Sequence, residues 1–352
     1  MLSLAEVLGR HWPAYERQFG AQLLPSHRGA VQAILACRTP ALGGELYLCP
    51  DCQAHHFVYH PCNHRACPQC GQADATDWIA RQKLKLLPVP YYLITFTVPE
   101  GLRSWLRSHQ KLGYAGLLQE SAATLQDVAS RAKYLGAQLG CLSVLHTWGR
   151  QLQFHPHVHC VVPAGGLRPD ALRWCQPKSA DFFLPQSVLA ARFRTRLQAV
   201  LQALPEATDI PAAVWHQKWV VDVQPVGSGQ AALTYLAAYV YHTALGSQRL
   251  LKDADGQITF KYKGSDDGQW HALSVSAPEF IRRFLQHVLP RGFQRVRYYG
   301  WLSAAATARW QRILSLLAWQ PPTRQVVSAP SPLCPGCGAQ LLWIGTLVRA
   351  PP

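Results

Sequence analysis

The sequence is short of acidic residues and, more generally, of charge. Asp and Glu total 19 against 34 Lys and Arg, and charged residues make up 15% of the 352 positions, well below the roughly one quarter typical of globular proteins. The apolar fraction of 49% can bury a sizeable core, which excludes a disordered or fibrous chain. At roughly 150 residues per domain, the length suggests two or three domains.

Long apolar runs are also missing. The longest covers residues 86–98, contains Pro88 and Pro90, and is too short to span a bilayer. The first ten residues lack a signal-peptide pattern, and the 11 cysteines are an odd number, which argues against a secreted disulfide framework. We therefore expect a soluble cytoplasmic protein without a membrane partner.

The net charge is positive and lies mainly in the C-terminal two-thirds of the chain. The formal net charge is +15, and residues 251–352 carry 12 Lys and Arg against 5 Asp and Glu. Phosphates release counterions to cationic side chains, and bases stack on aromatic rings, so we expect a nucleic acid partner rather than a mere solubility charge. The densest basic and aromatic segments give the expected DNA contacts: Lys261, Tyr262, Lys263, Arg282, Arg283, Arg295 and Arg297.

The pattern of elements predicts a mixed or antiparallel α+β fold. A β-branched and aromatic strand over 91–98 precedes a hairpin with arms at 141–148 and 154–163. Helices are expected at 102–139, 186–204 and 231–244, without the regular alternation of a parallel sheet. We place domain boundaries after residues 88 and 300. They separate a helical, Cys- and His-rich domain at 1–88, an α+β domain at 89–300, and a helix with a Pro-rich tail and a Cys-x-x-Cys knuckle at 301–352.

Two Cys-x-x-Cys pairs with fourteen residues between them predict a structural zinc site. The four thiolates of Cys49, Cys52, Cys67 and Cys70 can form a closed tetrahedral shell around one Zn²⁺ ion. A closed shell has no open position for chemistry, so we assign it to folding and DNA docking. Further potential ligands, whose roles the sequence leaves open, are Cys37, His60, Cys62, His64, Cys334 and Cys337.

Histidines alternate along the second arm of the hairpin. His155, His157 and His159 fall on one face of a strand, because successive side chains alternate. The His157 and His159 pair is spaced to bind one divalent ion. His146 in the opposite arm is the preferred third ligand, since antiparallel pairing brings it within reach.

Tyrosines recur at helical spacing further along the chain. In a helix, Tyr235, Tyr239 and His242 share one face, whereas Tyr241 points away. Two aromatics packed into a core give the same spacing. Beside a metal-binding strand, however, a tyrosine can attack a polarised phosphodiester and retain the 5′ phosphate covalently.

These motifs resemble those of HUH single-strand endonucleases, and the chain is similar to rolling-circle transposases of the insertion-sequence-91 class. The resemblance implies that His157 and His159 hold Mg²⁺ or Mn²⁺, with His146 or its rival His242 as third ligand. It also implies that Tyr235 and Tyr239 act as nucleophiles. By the same resemblance, residues 1–88 form a zinc-binding domain, and residues 89–300 form a nuclease domain whose central antiparallel sheet, flanked by helices, carries His157 and His159. Supporting segments run along nearly the whole chain: 24–30, 37–44, 62–70, 145–149, 155–159, 235–239, 280–284, 287–293, 297–300 and 334–337.

The resemblance further implies transposition through single-stranded DNA at element ends, transfer to target DNA, strand displacement by host replication, and association with the nucleoid. Two other functions remain open from the residues. A metal-dependent hydrolase also uses His-x-His, but acidic ligands are scarce between 130 and 250. A zinc-ribbon DNA-binding regulator would leave the histidines and tyrosines as packing residues. The recognised DNA sequences, the oligomeric state and the number of active tyrosines are left open.

Overall fold

A computed structural model describes residues 2–179, 182–241, 245–264, 266–323 and 332–349. The chain forms two compact units, and each is assembled from separated segments. The first unit combines residues 1–75, 241–288 and 324–352, and the second combines 76–240 and 289–323. The predicted boundaries after residues 88 and 300 differ from this division, because 241–288 belongs with the N-terminal segment and not with the predicted nuclease domain.

The elements are numbered in chain order. The helices are α1 Leu4–Phe19, α2 Pro25–Ala36, α3 Gly71–Lys83, α4 Glu100–Ser108, α5 Gln110–Ser130, α6 Gln186–Gln202, α7 Gln230–Tyr241, α8 Ala277–Leu285 and α9 Thr307–Leu316. The strands are β1 Gly44–Leu48, β2 His55–Tyr59, β3 Tyr91–Thr97, β4 Gly140–Trp148, β5 Phe154–Pro163, β6 Gly166–Leu167, β7 Trp174–Cys175, β8 Val220–Pro225, β9 Leu250–Ala254, β10 Gln257–Lys263, β11 Trp270–Ser276, β12 Val296–Gly300 and β13 Leu342–Leu347.

A five-stranded antiparallel sheet forms the centre of the second unit, in the order β12-β4-β5-β3-β8. Alternate side chains of its strands, such as Phe96 and Val158, are fully buried in one apolar core with residues of α5 and α6, such as Leu125 and Phe193. The opposite face of β4 and β5 carries His146, His157 and His159. The predicted α+β class with an antiparallel sheet is confirmed.

Most predicted elements of the second unit are present with small shifts at their ends. The helix expected over 102–139 is instead two helices, α4 and α5, because the backbone at His109 leaves the helical region (φ −116°, ψ 48°). The ring of His109 stacks on Trp105. Strand β12 was not predicted; its basic and aromatic residues suggested a DNA contact, yet they pair with β4.

The first unit contains two smaller antiparallel sheets, β13-β1-β2 and β11-β10-β9, with the N-terminal helices α1 and α2 and with α8. Helix α1 begins with a capping box between Ser3 and Glu6. Asp253 of β9 accepts hydrogen bonds from Arg10 and His11, which ties α1 to the second of these sheets. Throughout the described ranges, helices long and apolar enough to cross a membrane are absent.

Candidate active site

Three histidines converge on the sheet of the second unit. His146 on β4 is paired in register with His157 on β5, and His159 follows two residues later on the same face. One ring nitrogen from each lies within 4.8 Å of the others. The ring centroid of His146 lies 5.2 Å from that of His157 and 4.4 Å from that of His159.

Neighbouring groups fix how two of these imidazoles are turned. The Nδ1 of His157 donates to the carbonyl oxygen of His155 at 2.6 Å, which leaves Nε2 with its lone pair. The Nδ1 of His159 lies 2.9 Å from the hydroxyl of Thr95 on β3. The Nε2 of His159 is buried and has no hydrogen-bond partner among the described residues, as expected of an atom that faces a metal.

Burial keeps the three imidazoles uncharged. It lowers the pKa of His157 to about 4, and it lowers the pKa of His159 and of His146 well below the usual histidine value. The neighbouring histidines lower the pKa of His146 further, as does the cationic Arg295. Neutral imidazoles are the form that binds metals, so this donor set fits one divalent cation with positions left for oxygen ligands.

The structure brings together His146, His157 and His159 but separates His155 from this group. The ring of His155 lies 5.1 Å from that of His157, but the register between the two arms shifts after His146. This irregularity leaves His155 outside the cluster, although the alternating pattern put it on the same face. The rival third ligand, His242, lies outside the described residues.

Helix α7 brings a tyrosine to the histidines. The ring of Tyr235 lies edge to face with the imidazole of His159, with 5.9 Å between centroids. Tyr235 is 44% exposed, so a nucleic acid can reach it while its ring touches the cluster. Tyr239 follows one turn later in the same helix, but its side chain and that of Tyr241 lie outside the described set.

The start of α7 is fixed by a glycine. Gly229 has φ +77°, and a Cβ there would lie 2.7 Å from the ring of Tyr91. Tyr91 is buried in turn, and its hydroxyl accepts a hydrogen bond from the amide of Leu87 at 2.8 Å. The turn after β8 therefore begins the helix against Tyr91, which sets the position of Tyr235.

The first unit holds two groups of four cysteines. One group consists of Cys37, Cys62, Cys67 and Cys70, and the other consists of Cys49, Cys52, Cys334 and Cys337; within each, the sulfurs lie within 4.8 Å of one another. The predicted set of Cys49, Cys52, Cys67 and Cys70 around one ion is therefore wrong in its pairing, because each Cys-x-x-Cys pair has other partners.

The histidines that could have completed a cysteine shell have other contacts. His60 bonds through Nε2 to a carboxylate oxygen of Glu45 at 3.0 Å. The Nδ1 of His64 accepts from the amide of Ala66 at 3.1 Å. Within the first group, a hydrogen bond from Cys67 is the main reason that the pKa of Cys62 falls to about 5.

Comparisons with known proteins identify the family. A family model described as a putative transposase matches residues 140–309, and one described as a transposase zinc-binding domain matches residues 7–98. A putative transposase, y4qJ, of Sinorhizobium fredii is 36% identical over 85% of this chain and 80% of its own length. The chain belongs to the insertion-sequence-91 class of transposases.

A second relative of this transposase is the transposase for insertion sequence element IS801 of Pseudomonas savastanoi pv. phaseolicola. It is 28% identical over 78% of the chain and 69% of its own length. No solved structure matches the chain significantly. The zinc-binding match contains all four cysteines of the first group, whereas Cys334 and Cys337 of the second group lie outside it.

The residues predicted to contact DNA are divided between the two units of the transposase. On β10, Lys261 faces the exposed Trp270, with the ammonium 5.2 Å from the ring centroid. Tyr262 lies on the other side of the strand and packs near His271. Lys263 ends the strand and is exposed. The alternating aromatic and basic side chains of this strand therefore lie on two different faces. They do not form one surface on which bases could stack.

The predicted arginines have protein partners. Both Arg282 and Arg283 bond to the carboxylate of Glu279, at 2.6 and 2.7 Å. Arg297 lies over the ring of Phe293 at 5.5 Å, and Arg295 acts on His146 as described above. Thr95, which contacts His159, was not among the predicted site residues. An isolated threonine in a strand belongs to no motif that would indicate such a role.

Proposed function

We propose that this transposase nicks and rejoins single-stranded DNA at element ends through a covalent 5′-phosphotyrosine, as in rolling-circle transposition. The observation that carries this proposal is the contact of the exposed Tyr235 with His159, one of three clustered histidines. The tyrosine, as nucleophile, and the histidines, as metal ligands, then lie side by side at an exposed position that DNA can reach. The basic charge and the membership in a transposase family support the same function.

In this mechanism His146, His157 and His159 hold a Mg²⁺ or Mn²⁺ ion. When bound, such an ion polarises a phosphodiester and stabilises the departing oxygen. The histidines orient that phosphate towards α7. The hydrogen bonds that Nδ1 of His157 donates to the His155 carbonyl and Nδ1 of His159 donates to the Thr95 hydroxyl leave both Nε2 lone pairs free for the ion.

Tyr235 is the first nucleophile. Its hydroxyl oxygen bonds to phosphorus while its proton passes to water. The bond from phosphorus to the 3′ oxygen breaks, and that oxygen takes up a proton from water. The 5′ phosphate stays on the tyrosine and the 3′ oxygen leaves as a free hydroxyl. A later attack by a 3′ hydroxyl of target DNA reverses this step and joins the strands. Tyr239 acts in a second transfer, since it follows on the same helix one turn later.

The first group of cysteines supports a structural zinc ion in the N-terminal module. Cys37, Cys62, Cys67 and Cys70 form a complete tetrahedral set, and all four fall within the matched zinc-binding domain. Lys261, Lys263 and Arg297 bind DNA phosphates in this proposal. Host replication displaces the nicked strand, and the protein acts at the nucleoid.

The test is covalent capture of single-stranded DNA. Labelled oligonucleotides that tile the DNA flanking the gene are incubated with the transposase and Mn²⁺ and resolved under denaturing conditions. We expect a protein–DNA adduct that Tyr235→Phe with Tyr239→Phe abolishes while DNA binding persists. Tyr134→Phe, a tyrosine at the core of the same unit, is the matched control and keeps the adduct.

Other outcomes assign the other functions. Cleaved product without an adduct indicates a metal-dependent hydrolase, and binding without cleavage indicates a regulator. An adduct that survives in the double variant moves the nucleophile elsewhere, first to Tyr241.

A further inference from the structure

Two Cys-x-x-Cys segments of the first unit fold in the same way although they are far apart in sequence. In one, the amide of Cys49 donates to the carbonyl of Ala54 at 2.9 Å, and the amide of Gln53 donates to the carbonyl of Cys49 at 3.0 Å. In the other, Cys334 donates to Ala339 at 2.7 Å, and Gly338 donates to Cys334 at 2.8 Å. The two hydrogen bonds connect equivalent positions.

The backbone conformation repeats as well. The residue after the second cysteine has a left-handed conformation in both segments, with φ +57° at Gln53 and φ +78° at Gly338. Such a residue turns the chain back behind a pair of thiolates. The segment of Cys67 and Cys70 leads instead into helix α3. The first knuckle therefore has its structural counterpart at Cys334–Cys337, not at the nearer pair.

The sheet brings these two knuckles together. Strand β13 pairs with β1 in antiparallel register. Cys49 directly follows β1, and Leu341 directly precedes β13. The ends of the two strands that carry the knuckles therefore lie side by side. Cys49, Cys334 and Leu341 form a small buried cluster there.

The sulfur positions fit a tetrahedral ion. The Sγ of Cys49 lies 3.4 Å from that of Cys337, and the Sγ of Cys52 lies 3.7 Å from that of Cys334. Four sulfurs at about 2.3 Å from one Zn²⁺ ion are about 3.8 Å apart. A disulfide would instead need about 2.05 Å between two sulfurs, and these cysteines are free.

We propose that Cys49, Cys52, Cys334 and Cys337 bind a second structural zinc ion, which clasps together segments 282 positions apart in sequence. His56 supports this site from outside the shell, since its Nε2 lies 3.3 Å from the Sγ of Cys334. The three-stranded sheet with its two knuckles is thus a zinc ribbon whose halves come from distant parts of the chain. This site does not depend on the nuclease function proposed above.

The experiment measures zinc per full-length chain by elemental analysis. We expect two equivalents in the unsubstituted protein and one in Cys334→Ser/Cys337→Ser. The mirror variant Cys49→Ser/Cys52→Ser loses the same equivalent, and combining the two pairs leaves one zinc. Cys175→Ser, which alters a cysteine outside both groups, is the control and keeps two. One equivalent in the unsubstituted chain, unchanged in Cys334→Ser/Cys337→Ser, overturns the proposal.

A second measurement covers variants that fail to fold. In the unsubstituted protein, the thiols are alkylated with and without a chelator, and the modified positions are mapped by mass spectrometry. We expect Cys49, Cys52, Cys334 and Cys337 to react only after chelation. Rapid reaction of the exposed Cys52 and Cys337 in zinc-loaded protein contradicts the second site.

Discussion

The central sheet in the second unit of this transposase and the ribbon sheet in its first unit are stabilised in different ways. In the second unit, a continuous apolar core fills one side of the sheet, with large side chains such as Phe96, Tyr114 and Phe193 almost fully buried. In the ribbon sheet of the first unit, large apolar residues such as Phe57 and Trp343 are more than half exposed. Strands that bury little apolar area gain little from the hydrophobic effect. In our proposal, zinc–thiolate bonds supply the stability that this sheet does not gain from apolar burial.

Removal of zinc should destabilise the ribbon sheet far more than the central sheet of the second unit. Apparent binding free energies of structural zinc are about 10–16 kcal/mol, so chelation removes most of the stability of the ribbon. We expect amide hydrogen exchange in β1 and β13 to rise sharply, while β4 and β5 keep their protection. Equal loss of protection in both units would show that the second unit also depends on zinc.

The core of the second unit is tested by truncation of an aromatic ring. Phe193 meets Phe96 at 4.9 Å and Trp219 at 5.6 Å between centroids. Phe193→Ala should reduce the free energy of unfolding by about 3–5 kcal/mol through the cavity that it leaves, with zinc content unchanged. Phe57→Ala, at an exposed position of the ribbon, should stay within about 0.5 kcal/mol. Denaturant unfolding and elemental analysis measure the two effects.

The histidine cluster, proposed above as a metal site, lies on the sheet that the apolar core supports. Side chains that contact its imidazoles should therefore change its affinity for the ion. Thr95→Val keeps the shape of the side chain but removes the hydroxyl beside His159. Loss of such a partner typically lowers metal affinity about 10–100-fold, which titration of Mn²⁺ by electron paramagnetic resonance can measure. Thr97→Val, at the position of β3 that pairs with His157, is the control. An unchanged affinity in Thr95→Val would mean that the hydroxyl does not position the ring.

An ion pair of the first unit should contribute least to the free energy of unfolding. Hydrogen bonds, first from Arg282 and then from Arg283, hold the pKa of Glu279 at about 2. A carboxylate whose pKa is lowered on folding stabilises the protein above its unfolded value of about 4.5, and this contribution is lost as the pH falls towards 2.

Glu279→Gln should therefore cost about 0.2–1 kcal/mol at pH 7 and flatten the pH dependence between those values. Thermal unfolding across that range checks this effect. Tighter phosphate binding by the released arginines would support their assignment to DNA. A steep pH dependence retained in the variant would assign it to other carboxylates.

Sequence reasoning succeeded where the signal is local. The hairpin arms, the shared face of His157 and His159, and the helix that carries Tyr235 all follow from periods of two or 3.6 residues. It failed where the partner is distant. The spacing of Cys49 and Cys52 predicts that their thiolates bind the same ion. It does not indicate which second pair of cysteines completes the shell. The spacing favours the nearer pair, Cys67 and Cys70, whereas the structure groups Cys49 and Cys52 with Cys334 and Cys337.

The same limit explains the strands that were missed. Strand β13 is the short segment Leu342–Leu347, and its own apolar residues do not distinguish a strand from a loop. It forms a strand by pairing with β1, which is distant in sequence. Strand β12 was interpreted as a DNA-binding segment because it is basic and aromatic. In the fold, its backbone extends the central sheet next to β4, and composition alone does not separate these two roles.

The distance between the halves of the ribbon has a consequence during protein synthesis. At roughly 5–20 residues added per second, Cys334 emerges about 15–55 s after Cys52, which lies 282 positions earlier. During that interval the thiols of Cys49 and Cys52 lack the second pair of ligands, so they can be oxidised or can bind another metal ion. A ribosome that stalls before Cys334 leaves the ribbon incomplete, so closure of this centre distinguishes nascent chains that have passed that point from those that have not.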